Sequence, residues 1–395
     1  MKKKIYAAAV ILVLISIPQV QGLQTDSLKL TISGVIVHPS ERLMTLGLNY
    51  LSPYLTYSSM FQPDEVLRRD FTRFKADGID IVSLEMYWYR LEGNTRGSYD
   101  GGTSATTNYG DRFLDEIKRN IKIANESGIK VLLTFHTLWG NDDSPWCTPD
   151  YVVDPVAGNN IGLAIVRSDS MRQAFIDMFN HTVSYLSDTA GIWAWAVLNE
   201  PQYWGRNYDE HDFMTNNGNT QKENFITLFQ ELSNIVRTSD GRPVTIRLIN
   251  APVYTGLDGQ QHIENIFAND WGWDQRLFDA VDFVSLNVYI PQHLQLVETW
   301  KNLTASNIVG ISQINKQIWI TEFGSALTDQ SAQANDYQTM LNFFATLPVS
   351  GCLAWQWTSG IIPPGWDDPE SQSPYNICTD AANGTGGLAY SGLHL

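Results

Sequence analysis

Two short stretches place a carboxylate directly after an apolar run: Leu198-Asn199-Glu200-Pro201 and Ile320-Thr321-Glu322-Phe323-Gly324. Two carboxylates facing one mouth are what breaking a bond between sugars requires. One attacks the anomeric carbon, while the other protonates the departing oxygen and later activates water. In the retaining form of that chemistry the carboxyl groups stand about 5–5.5 Å apart. At that distance the two charges push one pKa up, so one group keeps its proton near neutral pH as the acid and the other is ionised for attack.

Other apolar runs also close on reactive side chains. Thr134-Phe135-His136, Asn287-Val288-Tyr289 and Ala354-Trp355-Gln356-Trp357 end three of them. His136 and Tyr289 are read as site residues rather than satisfied core groups because each stands at the end of its run. Trp355 is read as a sugar platform. Trp357 stands equally as platform or core, since residues two apart on a strand share a face. Asn287 is divided evenly between a sugar contact and a packing role, and Glu85 between a third site carboxylate and a solvated strand end.

Aromatic residues make up 12% of the chain, with 13 Trp. Their flat faces pack against the C–H faces of sugars as well as inside cores. Trp139, Trp146, Trp204, Trp271, Trp273 and Trp366 fall in loops after strands, where several near one mouth would build a cleft.

The elements that must position these groups alternate along the chain. Strand-like runs span Leu43–Tyr50, Ile79–Met86, Lys130–His136, Trp193–Asn199, Val244–Asn250, Phe283–Tyr289, Gln317–Glu322 and Gly351–Trp357. Amphipathic stretches at Pro63–Ala76, Arg112–Glu126, Met171–Leu186, Glu223–Thr238 and Ala332–Ala345 predict helices between them. Strand–helix alternation predicts a parallel sheet with crossover helices. Eight strands, with no Gly-x-Gly-x-x-Gly turn after any of them, favour a (β/α)8 TIM barrel over a doubly wound sheet. Only barrel closure would bring Glu200 and Glu322 together. The expected layout is a leader over 1–22, a lead-in over 23–42, one catalytic barrel over 43–360, and a loop-rich tail over 361–395 packed on the barrel.

Composition narrows the partner. Charged residues are 17% and hydrophobic residues 43%, which excludes a disordered or coiled-coil chain. The formal net charge of −16 disfavours nucleic acid or an anionic membrane surface and leaves a neutral partner. Lys2, Lys3 and Lys4, then the apolar run Ile5 to Ile17, then Val20-Gln21-Gly22, read as a secretory leader cut near Gly22. The run is about thirteen residues, short of the roughly twenty that span a bilayer, so a secreted protein with no membrane segment after cleavage is expected. Cys147, Cys352 and Cys378 match no metal-binding spacing; a Cys352–Cys378 disulfide is one of two open states. No metal and no organic cofactor are expected, and the protein is expected to be a monomer.

Asn199-Glu200-Pro201 together with Thr321-Glu322-Phe323-Gly324 resembles glycoside hydrolase family 5, the cellulase and mannanase type of retaining (β/α)8 glycosidase, over essentially the whole chain after the leader. The resemblance implies Glu200 as acid/base and Glu322 as nucleophile, with Asn199 bonding the sugar 2-hydroxyl. It implies that His136 and Tyr289 close the third and sixth strands at the site, with Tyr289 touching the nucleophile. Trp355 is similar to the aromatic floor on strand eight, and its Trp-Gln sequence to that of β-mannanases. Trp88 matches a family Trp in the site. Two departures stand out: Ser83 occupies the place, five before Trp88, where the family usually has Arg, and Asn287 the place where it usually has His. Arg247 on strand five, by position, is a candidate to supply the missing charge. A secreted endo-β-1,4-glycosidase acting on β-glucan or mannan is therefore expected, with an exo-acting or transglycosylating relative and a non-catalytic sugar-binding barrel as rivals.

Overall fold

Eight apolar runs close into one parallel barrel. Its strands are β1 (Thr45–Leu51), β2 (Ile81–Tyr87), β3 (Lys130–His136), β4 (Ile192–Asn199), β5 (Val244–Ile249), β6 (Phe283–Tyr289), β7 (Gln317–Gly324) and β8 (Gly351–Thr358). They hydrogen-bond in sequence order around the ring, and β8 pairs with β1 to close it. The computed structural model describes residues 44–51, 62–92, 111–136, 161–201, 220–251, 253–255, 261–263, 274–291, 296–358, 376–380 and 385–386, positions 390 and 393, and the strands 30–31 and 34–35. The leader over 1–22, Cys147 and the six loop tryptophans from Trp139 to Trp366 lie outside the described residues. Leu30–Thr31 and Gly34–Val35 pair antiparallel within a separate N-terminal unit, Met1–Glu41. The barrel and its site belong to the unit Arg42–His394.

Both faces of these strands are covered, which is why they read as near-continuous apolar runs instead of alternating ones. One set of side chains, such as Val82, Leu84, Val131 and Leu133, packs outward against the helices. The alternate set, Ile81, Leu132, Ala194, Phe283, Trp319 and Leu353, fills the barrel floor. Gly351 is required there: a Cβ on it would fall 2.2 Å from the Trp319 ring.

The helices are α1 (Asp64–Ala76), α2 (Trp88–Glu92), α3 (Arg112–Glu126), α4 (Ile161–Arg167), α5 (Asp169–Leu186), α6 (Thr220–Ser239), α7 (Gln275–Asp279), α8 (Val297–Ser312) and α9 (Gln330–Phe344). α1 buries Val66, Leu67, Phe71 and Phe74, carries Asp64 and Glu65 in its first turn and Arg73 and Lys75 in its last, and so suits the helix dipole at both ends. α9 is capped by Asp329, whose carboxylate accepts the Ala332 N–H at 2.8 Å. α8 is not foreseen in the sequence: no side chain caps its start, and its buried stripe of Trp300, Thr304, Ile308 and Ile311 is interrupted by a threonine.

Described parts of the tail lie on β8. Ile377 donates its N–H to Gln356 O at 3.0 Å, and Tyr390 packs on Phe74 and Trp357 while its hydroxyl bonds Asp77 at 2.7 Å. Cys352 and Cys378 are both buried, and no disulfide joins them, so the disulfide is the state that is not formed. Cys352 is embedded in the apolar layer between β8 and the helices, whereas Cys378 opens a short hairpin strand. Among the described residues no helix is long and apolar enough to cross a membrane.

Candidate active site

The barrel interior changes character above its apolar floor. The inward positions of β2 read Ile81, Ser83, Glu85, and those of β5 read Thr245, Arg247, so polar groups stack toward the C-terminal mouth. Arg247 is fully buried and runs across this layer. Its Nη1 donates to Glu85 Oε1 at 2.7 Å and to Thr134 Oγ1 at 3.1 Å; its Nη2 donates to Asn49 Oδ1 and to Thr321 O, both at 3.0 Å, and to Glu322 Oε1. One side chain from β5 therefore ties together β1, β2, β3 and β7. Small hydroxyls at Ser83 and Thr134, bonded to each other at 3.0 Å, leave room for it.

Glu322 is held at both oxygens, by Arg247 on Oε1 and by the Tyr289 hydroxyl on Oε2. Glu200 sits just past β4 with φ at +46°, a left-handed backbone that a side-chain-bearing residue adopts at a cost of about 1–2 kcal/mol. That conformation is fixed by the Glu200 N–H, which donates to Arg247 O at 2.8 Å. Asn287 stands between the carboxylates: its Nδ2 donates to Glu200 Oε1 at 2.8 Å, it is the register partner of Glu322, and its Oδ1 accepts from Thr321 Oγ1 at 3.1 Å. Asn199 Oδ1 lies 3.3 Å from the same Asn287 amide nitrogen.

These surroundings treat the two glutamates differently. Burial, then the charge of Glu322, pushes the Glu200 carboxyl up to about 8, against the opposing pull of Asn287 and Arg247. Burial raises Glu322 as well, but Arg247, Tyr289 and Asn287 all favour its ionised form. Glu200 thus keeps a proton near neutral pH, while Glu322, raised by burial, has three bonded neighbours that favour its ionised form. His136 is held well below the ordinary histidine range, to about 3, by burial and then by the charge of Arg247, so it is a neutral imidazole. Its ring packs on Tyr87 at 5.2 Å between centroids.

Closure of the barrel brings Glu200, Glu322, Asn199, Asn287 and Tyr289 together, with His136 and Trp355 ending β3 and lying late in β8. Trp355 is partly exposed. Trp88 and Trp357 are corrections. Trp88 is 1% exposed, donates its indole N–H to Glu92 at 2.7 Å and packs edge-on against Phe175, because β2 ends at Tyr87 and α2 turns the ring toward α5. Trp357 is fully buried against Phe74 and Tyr390. The pairing of β8 with β1 shifts register between Ala354 and Trp357, which removes the two-residue rule that would give the tryptophans a common face.

Glu85 is buried rather than solvated, and Arg247 does carry its charge to the site, as its position suggested. Asn49 and Thr134 are supporting residues given no role from the sequence, and Ser83, noted there only as a departure, is a third. Their signal was available: each is polar at an inward position of an otherwise apolar strand. No group of three or more His, Cys, Asp or Glu among the described residues is arranged to hold a metal ion.

Known proteins agree with this architecture. The family model for cellulase, glycosyl hydrolase family 5, matches residues 55–360. The chain is 24% identical over 280 residues to the "Probable mannan endo-1,4-beta-mannosidase A" of Aspergillus oryzae, covering 70% of this chain and 65% of that protein. The chain thus spans just under two thirds of the curated relatives it matches. In fold it is similar to a GH5_18 protein from Bifidobacterium longum subsp. infantis, with TM-score 0.64 and 14% identity over 89% of this chain and 77% of the other. It is also similar in fold to an exo-beta-1,4-mannosidase from Opitutaceae bacterium strain TAV5, with TM-score 0.60 and 14% identity over 92% of this chain and 61% of that one.

Proposed function

The chain belongs to glycosyl hydrolase family 5, and from that premise we propose that it is a retaining β-glycosidase that cleaves internal β-1,4 links of a mannose-containing polysaccharide. The observation that carries this reading is the unequal bonding of two buried carboxyls, Glu200 pushed up to about 8 chiefly by burial while Glu322 is bonded at both oxygens by Arg247 and Tyr289, which favour its ionised form. The preference for mannan over glucan draws on the mannanase relatives.

In the first half-reaction Glu322 forms a bond to the anomeric carbon as the glycosidic C–O bond breaks, and the leaving oxygen takes the proton of Glu200. In the second, the Glu200 carboxylate removes a proton from water, the water oxygen bonds to the anomeric carbon, and Glu322 leaves as a carboxylate. Asn199 is placed in the role of partner to the sugar 2-hydroxyl, His136 as a neutral donor or acceptor at the mouth, and Trp355 as the flat floor under the sugar.

The fold likeness to an exo-acting mannosidase favours a second reading, removal of single sugars from a chain end. Incubating the protein with β-1,4-mannan, glucomannan, carboxymethylcellulose and xylan separates the readings. Release of mixed oligosaccharides from the mannose-containing polymers alone is the expected result. Release of one monosaccharide from those polymers would move the exo reading to the front, and activity only on carboxymethylcellulose or xylan would overturn the substrate assignment.

A further inference from the structure

Arg247 has more carboxylate around it than one cation balances. Glu85 and Glu322 both bond its guanidinium, all three side chains are buried, and Glu85 Oε2 has no hydrogen-bond partner among the described residues. Glu85 is buried with its Oε1 on Arg247 Nη1, and among the described residues it bonds neither Glu200 nor Glu322. A buried carboxylate with one oxygen unpaired is costly unless its charge is used.

Double displacement supplies the use, and the role of Glu85 rests on that proposed reaction. When Glu322 bonds to the anomeric carbon it becomes a neutral ester, and Arg247 loses that carboxylate as its counter-charge. A buried guanidinium with no counter-charge is strongly disfavoured. We infer that Glu85 is a positioning residue acting through Arg247: it fixes one arm of the guanidinium while the other arm holds Glu322, and its carboxylate balances Arg247 while Glu322 is consumed in the glycosyl-enzyme. Burial pushes the Glu85 carboxyl up to about 7, with Arg247 opposing and the charge of Glu322 adding to the rise, so loss of the Glu322 charge favours ionisation of Glu85 at the moment Arg247 needs it. The other titratable groups of this layer are Glu200 past β4, neutral His136 on β3 and Tyr289 on β6.

Trapping the intermediate tests this directly. The wild-type chain, Glu85→Gln, Glu85→Asp and Glu322→Ala would each be treated with 2-deoxy-2-fluoro-mannosyl fluoride, and adduct formation followed by intact-mass spectrometry, with a thermal melt for each variant. Gln keeps the shape of Glu85 and an acceptor for Nη1 but loses the charge; Asp keeps the charge and loses reach. Trapping is expected to slow about 10- to 100-fold in Glu85→Gln and to return to within about threefold of wild type in Glu85→Asp. Wild-type trapping in Glu85→Gln, whatever Glu85→Asp does, would overturn the charge role. A Glu322→Ala variant that still forms the adduct would instead overturn the nucleophile assignment, and a wild-type protein that forms none would overturn the mannose-directed reading on which this role rests.

Discussion

Arg247 and Glu322, from the fifth and seventh strands, meet as a buried ion pair inside the barrel, with the guanidinium Nη2 on Glu322 Oε1. The backbone carbonyl of the same arginine accepts the Glu200 N–H, so a single residue positions both glutamates. Charge and geometry are therefore linked: whatever moves Arg247 moves the pair.

The acid must hold its proton for the first half-reaction. Glu200 is pushed up to about 8, so kcat/KM is expected to fall tenfold per pH unit above that value. A profile that already declines on the alkaline side near pH 5 would remove Glu200 from the acid role.

Asn287 favours the ionised form of Glu200 through its 2.8 Å amide bond. Removing that donor in Asn287→Leu raises the Glu200 pKa further, and the alkaline limb is expected to move up by about one unit. An unchanged or lowered limb would show that Asn287 does not tune the acid.

Trp355 and Trp357 stand two residues apart in sequence and have different environments. Trp355→Ala is expected to raise KM about tenfold with little change in melting temperature, since a sugar platform is lost from a partly exposed position. Trp357→Ala removes a ring packed on Phe74 and Tyr390 and is expected to cost about 3–5 kcal/mol of stability with KM unchanged. Steady-state kinetics beside calorimetric melts would decide, and the reverse pattern would exchange the two roles.

The buried carboxyls also link stability to pH. Glu85 and Glu200 hold their protons natively to about 7 and about 8, above the 4.5 of an unperturbed glutamate. Between those values the native chain binds more protons than the unfolded one, so their contribution is fully present below pH 4.5 and is lost as pH rises through about 7 and about 8. Calorimetry from pH 5 to 9 should show the melting temperature falling on the alkaline side, with a shallower fall in Glu85→Gln. Equal slopes for the two proteins would rule out the Glu85 contribution.

Much of this architecture is legible in the residues. The eight strands could be read because both their faces are buried, which makes each a dense apolar run, and the pair Glu200 and Glu322 because each carboxylate interrupts such a run at its C-terminal end. The cross-barrel contacts of Arg247 were visible only as a position, since a register of strands, not a spacing in sequence, decides which side chains meet. Trp88 and Trp357 misled for the same reason: a short helix after β2 and a register shift in β8 turn their rings into the core. α8 escaped because its stripe is weak and its start uncapped.

The most direct test of the double displacement is proton NMR of the first product released from a β-1,4-mannan oligosaccharide, read before mutarotation. A covalent intermediate on Glu322 predicts that the new reducing end is formed as the β anomer, with the signal absent in Glu322→Ala and restored as an α-glycosyl azide when azide is added to that variant. An α anomer as first product would mean single displacement by water, and Glu322 would then not be the nucleophile.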